Sequence, residues 1–231
     1  MSMRTHTALA LVSCVFLTGC GTASSSPSAV PTSTNVDVPF TSQAPAGDWS
    51  EPWQSACEET SIYMITSFYA NDPIKRDQAI VQIKAILAVK DKDIKVSKDE
   101  SLTTISQLIV DLKLPWETQL VTDPTTDALK KELAAGRPII VPVYAPDLKN
   151  PHYSSVTPDY HVLVLTGYDD TNGVFIVNDP GTKDGEGLRF PYATLMFAIH
   201  DLDPQNVTAG KKAVLFTKEK TDWFGVTGST K

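Results

Sequence analysis

The sequence is poor in the residue types on which metal and cofactor chemistry rests. It has three cysteines and four histidines in 231 residues. There is no HExxH, the histidines are scattered, and the cysteines form no CxxC pair, so no metal site is expected. No GxGxxG or phosphate-loop pattern appears, which leaves no expected cofactor. No Lys/Arg cluster interrupts a chain whose formal net charge is −7. Such a surface repels phosphate backbones, so nucleic acid is not an expected partner. No internal apolar run approaches the roughly 18 residues of a membrane-spanning helix. What remains is ordinary globular composition, 42% hydrophobic and 20% charged, enough to build a core.

The N-terminal residues read as a targeting segment. Arg4 provides the positive start, and Ala8 to Leu17 form an apolar stretch of signal-peptide length. Leu17-Thr18-Gly19-Cys20 resembles the bacterial lipoprotein box, which implies cleavage before Cys20 and a lipid on its thiol. Residues 20–35, rich in Ser, Thr, Pro and Ala, read as a flexible tether. The expected organisation is a signal over 1–19, a lipidated tether over 20–35 and a folded domain over 36–231. That domain would sit outside the cytoplasm, held to the membrane through Cys20. Cys57 is then its only thiol, either an inert buried cysteine or a nucleophile.

Along the domain, Val36 to Phe40 reads as an entry strand, followed by a loop carrying Trp49 and Trp53, which line a cleft or pack on the core. Apolar spacing predicts helices from Cys57 to Tyr69, from Lys75 to Val89, over Leu102 to Leu112, and from Thr125 to Ala135, the last closed by Gly136 and Pro138. Pro138 to Tyr144, His161 to Tyr168, Val174 to Asn178 and Ala213 to Thr217 read as strands. Phe190 to Ile199 reads as a short helix with Pro191 in its first turn. Helices precede strands, so the class is α+β.

Cys57 opens a helix, where the macrodipole and unpaired N–H groups favour thiolate. Glu58 and Glu59, next in the chain, oppose a low thiol pKa. His161, opening a strand, is the candidate base; His152 in a Pro-rich loop is a solvated or gating residue, and His200 is read as surface. The hairpin supplies two candidates to orient His161. If Tyr168 pairs with Val174, Asp179 lies opposite Leu163 and shares the face of His161. If Asn172-Gly173 forms a tight turn, Asn178 takes that face. The donors for an oxyanion would be the Cys57 N–H and the side chain of Gln43 or Gln54.

These residues carry a resemblance. Val38-Pro39-Phe40-Thr41-Ser42-Gln43, Cys57-Glu58-Glu59-Thr60-Ser61-Ile62-Tyr63-Met64, Gly136-Arg137-Pro138-Ile139-Ile140-Val141, His161 through Asp170, and Val177-Asn178-Asp179-Pro180-Gly181 are similar, in that order, to the domain family related to bacteriocin-processing cysteine peptidases. The resemblance implies a papain-like fold, N-terminal helices packed on a C-terminal antiparallel sheet. It implies Cys57 as nucleophile, His161 as general base and acid, Asp179 as its orienting partner, and Gln43 at the oxyanion. In papain relatives that Gln stands six residues before the Cys; here the position is Glu51, so the loop before Cys57 is expanded and Gln54 stays open. Gly often follows the Cys in the family, where this chain has Glu58.

The resulting expectation is a membrane-tethered, extracytoplasmic thiol hydrolase, a monomer, cleaving a peptide or isopeptide bond in a peptide or protein substrate through an acyl-enzyme. The competing expectation is an inactive lipoprotein that binds peptide or glycan on the same fold.

Overall fold

A computed structural model of the protein describes residues 30–93, 98–153 and 157–221. The signal segment, Cys20 and most of the tether lie outside the described residues. Its elements are β1 (Ser33–Asn35), α1 (Cys57–Ala70), α2 (Arg76–Asp93), α3 (Leu102–Asp111), β2 (Trp116–Thr122), α4 (Thr126–Ala134), β3 (Ile139–Tyr144), β4 (Tyr160–Asp169), β5 (Val174–Asn178), β6 (Leu188–Pro191), α5 (Tyr192–Ala198) and β7 (Ala213–Glu219). Every strand pairing is antiparallel, in the order β2-β7-β3-β4-β5-β6, and β1 adds to β4. The class is α+β, as the helix-then-strand order implies.

β4 is the central strand. Tyr160 through Tyr168 is buried on both faces, which is why it reads as an apolar run rather than an alternation. β3 covers one edge as far as Leu165, and β1 continues that side from Gly167 to Asp169. The close approach explains Gly167: a Cβ there would stand 2.3 Å from the Thr34 carbonyl oxygen. α1 packs across β4, and Ser61 reaches the Val162 carbonyl at 3.4 Å. The first half of α1 is buried on all sides, charged residues included. Side-chain caps from Ser101 and Thr125 open α3 and α4, and Gly136, at φ 75°, turns the chain from α4 into β3.

Four expectations are corrected. Val36 to Phe40 is not a strand: the pairing occurs earlier, at Ser33–Asn35, in residues read as tether, and beyond it Val36 N–H alone bonds the Thr166 carbonyl, at 2.8 Å. β2 was not anticipated. It is an edge strand whose Glu117, Leu120 and Gln119 face out, so it lacks the Val/Ile run that marks the buried strands. Phe190 and Pro191 belong to β6, and Pro191 precedes the first turn of α5 rather than standing within it. His200 is buried rather than surface: its Nδ1 meets the Gly210 carbonyl at 2.9 Å and its Nε2 meets Lys212 Nζ at 2.9 Å.

Candidate active site

Local sequence brings three segments together. Cys57 is the first residue of α1, and no side chain caps that helix, so its leading N–H groups point outward without an intrahelical acceptor. His161 is the second residue of β4. Asp179 directly follows β5. The hairpin between them begins with Asp169 opposite Val174, a register belonging to neither sequence alternative. A bulge between Leu165 and Gly167 then inserts Thr166, and beyond it Leu165 faces Val177 and Val164 faces Asn178. Continued one residue, this is the register that sets Asp179 opposite Leu163. One extra residue thus decides which side chain reaches the histidine.

His161 Nε2 lies 2.7 Å from Asp179 Oδ1, both side chains being essentially sealed from solvent. Asp179 accepts three further bonds: Gly181 N–H at 2.8 Å on Oδ1, and Asn150 Nδ2 and the Tyr153 hydroxyl, each at 2.8 Å, on Oδ2. Burial alone would raise this carboxyl. The charge and hydrogen bond of His161, then Tyr153 and Gly181, overcome it and hold the group below its usual value. An ionised carboxylate only accepts, so His161 Nε2 carries the proton and donates it to Asp179. That leaves Nδ1 for exchange with another group. The Tyr153 ring stands edge-on to the imidazole, centroids 5.9 Å apart, and Gly181 leaves room for it: a Cβ there would lie 2.9 Å from His161 Cε1 and Nε2.

Asn178, the alternative partner, is corrected by the same bulge. It faces away from His161, donating to the Val38 carbonyl at 2.9 Å and accepting from Gly187 N–H at 3.1 Å. It ties the entry segment to the sheet. Gln54 is exposed, and what it contributes is its backbone carbonyl. Gln43 is buried, and its Nε2 donates to the carbonyls of Trp53 and Gln54, each at 2.9 Å. Both amide hydrogens are thereby occupied, and Oε1 is buried without a hydrogen-bond partner. Glu51 turns outward to pair with Lys98 at 3.0 Å. Trp53 packs into the core and Trp49 is exposed. His152 is exposed. Cys57 is the free cysteine of the described residues.

The thiol itself makes its hydrogen bond with Glu58, Sγ to Oε2 at 3.0 Å, and not with His161. Cys57 is 3% exposed. Burial, then Glu58, then Asp99 and Glu59 push the thiol well above its ordinary value. Glu58 is fully buried and raised to about 8, first by burial and then by Glu59, against the pull of the Cys57 and Glu100 hydrogen bonds. Behind it, buried Glu59 is ion-paired to buried Lys90 at 2.7 Å, with Glu100 at 3.9 Å from the same ammonium. The sequence marked Glu58 and Glu59 as electrostatically adverse. It gave no sign that both are buried, since a helix start is where exposed acids usually stand. Asn150 and Tyr153 were missed as well; the signal available was a cluster of hydrogen-bonding side chains in the loop around His152. No group of residues able to hold a metal ion occurs among the described residues.

Helices packed on an antiparallel sheet, with Cys57 opening α1 and the buried His161–Asp179 pair on the sheet, give a papain-like architecture. The model of the Peptidase_C39 like family matches residues 35–198, and the chain belongs to that family. It is a cysteine peptidase by class, a hydrolase. Among solved structures it is similar to a protein assigned as a C39-like peptidase from Bacillus anthracis, at 18% identity, with 82% of this chain and 99% of that one covered and a TM-score of 0.51. It is also similar to xylellain, a cysteine protease from Xylella fastidiosa, at 14% identity, covering 84% and 87% of the two chains with a TM-score of 0.43. The first of these likenesses carries the fold. No curated protein matches the sequence.

Proposed function

We propose that the protein is a membrane-tethered, extracytoplasmic peptidase that cleaves a peptide or isopeptide bond through Cys57, His161 and Asp179. The observation that carries the reading is the buried His161–Asp179 bond of 2.7 Å on the strand packed against α1, the helix that Cys57 opens. Asp179 fixes the tautomer, so Nδ1 of His161 is the nitrogen that takes the thiol proton. The thiolate attacks the carbonyl carbon of the scissile bond, and the oxyanion is met by the Cys57 N–H at the uncapped helix start. His161 returns the proton to the leaving amine, which departs and leaves a thioester on Cys57. Water, deprotonated by His161, then cleaves the thioester and regenerates the thiol. An amine in place of water would make the same site an acyl transferase. Gln43 joins the oxyanion donors only by giving up one of its two carbonyl bonds.

Lipidation of Cys20, attachment to the membrane and action as a monomer complete the proposal and rest on the sequence. Incubation of the full chain with peptides and peptidoglycan stem fragments, with cleavage and the Cys57 thioester followed by mass spectrometry, tests it. Cleavage that disappears in Cys57→Ala and falls at least about 100-fold in His161→Ala is the expected result. The raised thiol and its bond to Glu58 favour a second reading, a binding domain without turnover. Peptide binding that Cys57→Ala leaves intact, with no cleavage by the unaltered protein, would establish that reading instead.

A further inference from the structure

The C39-type reading gives Cys57 a histidine partner, yet in this structure the thiol hydrogen is directed elsewhere. Glu58 is adjacent in sequence, wholly buried, and saturated with donors: Oε2 accepts the Cys57 thiol at 3.0 Å and Oε1 accepts the Glu100 N–H at 2.9 Å. The second bond fixes the carboxyl from outside α1, so the first is a held position rather than a chance rotamer. Glu100 is itself anchored, because its carbonyl receives the Tyr160 hydroxyl of β4 at 2.9 Å. The nucleophile, its neighbour and the strand bearing His161 are thereby joined by one chain of hydrogen bonds.

We propose that Glu58 is the resting partner of the nucleophile, a positioning residue that holds the Cys57 thiol hydrogen and sets the pH at which thiolate forms. The inference rests on the peptidase reading and deepens it. Once Glu58 has lost its own proton and the pair carries one negative charge, the thiol ionises within it: the S–H bond breaks, the electron pair stays on sulfur and the proton passes to the Oε2 carboxylate oxygen. The new carboxylic O–H then donates back to the thiolate, and the pair keeps a single negative charge. Removing the last proton would put two charges in one buried site, which is costly.

The groups that face Glu58 push mostly the same way. Glu59 stands beside it on α1, and Asp99 and Glu100 come from the segment before α3. Tyr160 adds a hydroxyl from β4. Lys90 of α2 is the cation on this side, and its short ion pair is with Glu59. On the side of the sheet a further titratable group is His161, and an imidazolium formed there would lower Asp99. Burial and like charge thus hold both protons on the Cys57–Glu58 pair through neutral pH; the first leaves as Glu58, raised to about 8, ionises, and the one that remains is the proton shared between Sγ and Oε2.

The test is the pH–rate profile of iodoacetamide modification of the full chain, read at the Cys57 peptide by mass spectrometry so that Cys14 and Cys20 do not contribute. It is run on the unaltered protein, Glu58→Gln and His161→Ala, with thermal unfolding of each as a folding control. Gln at 58 retains an acceptor for the Glu100 N–H, removes the charge and turns an amide donor toward sulfur. The unaltered protein is expected to titrate above the ordinary thiol range. Glu58→Gln is expected to lower that midpoint by about one unit or more, roughly a tenfold gain in rate at pH 7. A midpoint of the unaltered protein near or below neutral overturns the inference without any variant. So does a folded Glu58→Gln protein whose profile is unchanged. If His161→Ala alters the profile while Glu58→Gln does not, only the inference falls; if neither alters it, the Cys–His reading falls with it.

Discussion

Asp179→Asn is the substitution whose outcome the structure constrains most. Four donors converge on this carboxylate: His161 and Gly181 on Oδ1, Asn150 and Tyr153 on Oδ2. Asparagine keeps the shape and one acceptor. With its oxygen toward His161 and Gly181, its amide faces the Asn150 amide and the Tyr153 hydroxyl. The hydroxyl can rotate to accept; the Asn150 amide cannot accept, and its own oxygen is engaged by His152 N–H at 3.0 Å. One buried donor is left facing another, at about 1–3 kcal/mol, and two charge-assisted bonds become neutral ones. The sum is roughly 2–4 kcal/mol, a loss of about 5–15 °C in Tm for a chain of this size. Calorimetry at pH 7 reads it. Asn150→Asp in the same background turns that site into an acceptor and should recover about half of the loss, a coupling that a double-mutant cycle isolates. An Asp179→Asn protein within about 2 °C of the original, with no gain from Asn150→Asp, would refute the reasoning.

Other outcomes follow from the same network. Asp179 is depressed, so its contribution is fully present above the carboxylate value of an unfolded chain, about 3.9, and is lost as pH falls through the lower folded value. Glu58 has the opposite sign: raised from 4.5 to about 8, it binds its proton more tightly when folded, so stability falls as pH rises between those values. The slope is about 1.4 kcal/mol per pH unit, and urea titrations of Glu58→Gln should lack it. Lys90→Met strands the buried Glu59 carboxylate and should cost about 3–5 kcal/mol by urea unfolding, less at low pH where that carboxyl protonates. Gly181→Ala drives a Cβ to 2.9 Å from the His161 ring and should cost about 1–3 kcal/mol, while alkylation of Cys57 comes to resemble that of His161→Ala.

The reach of the sequence differed by element for physical reasons. α1, α3, α4, β3 and β5 were legible because their apolar faces and terminal signals agree; Ser101, Thr125 and Gly136 act as the letters suggest. β2 and β1 were not, because edge strands rich in Thr, Gln, Ser and Asn share their composition with loops. The choice between Asn178 and Asp179 turned on Thr166, an inserted residue with no signature, whose hydroxyl bonds Asn35 and the Ile176 carbonyl once the sheet exists. The resemblance pointed to Asp179, and pattern alone did not. Glu58 and Glu59 were conspicuous as letters, but their burial depends on Lys90, Glu100 and Tyr160, which come from α2, the segment before α3 and β4.

β1 also fixes how the molecule would hang. Ser33 sits opposite Asp169, at one end of β4, and His161 stands near the other end, eight residues or about 26 Å away along the strand. The chain before Ser33 therefore leaves the domain at the end of β4 remote from His161. A lipid on Cys20 would suspend the protein with the His161 end of β4 directed away from the bilayer. So mounted, the enzyme would sweep a shell outside the membrane, and its substrates would be met in that shell rather than at the lipid headgroups.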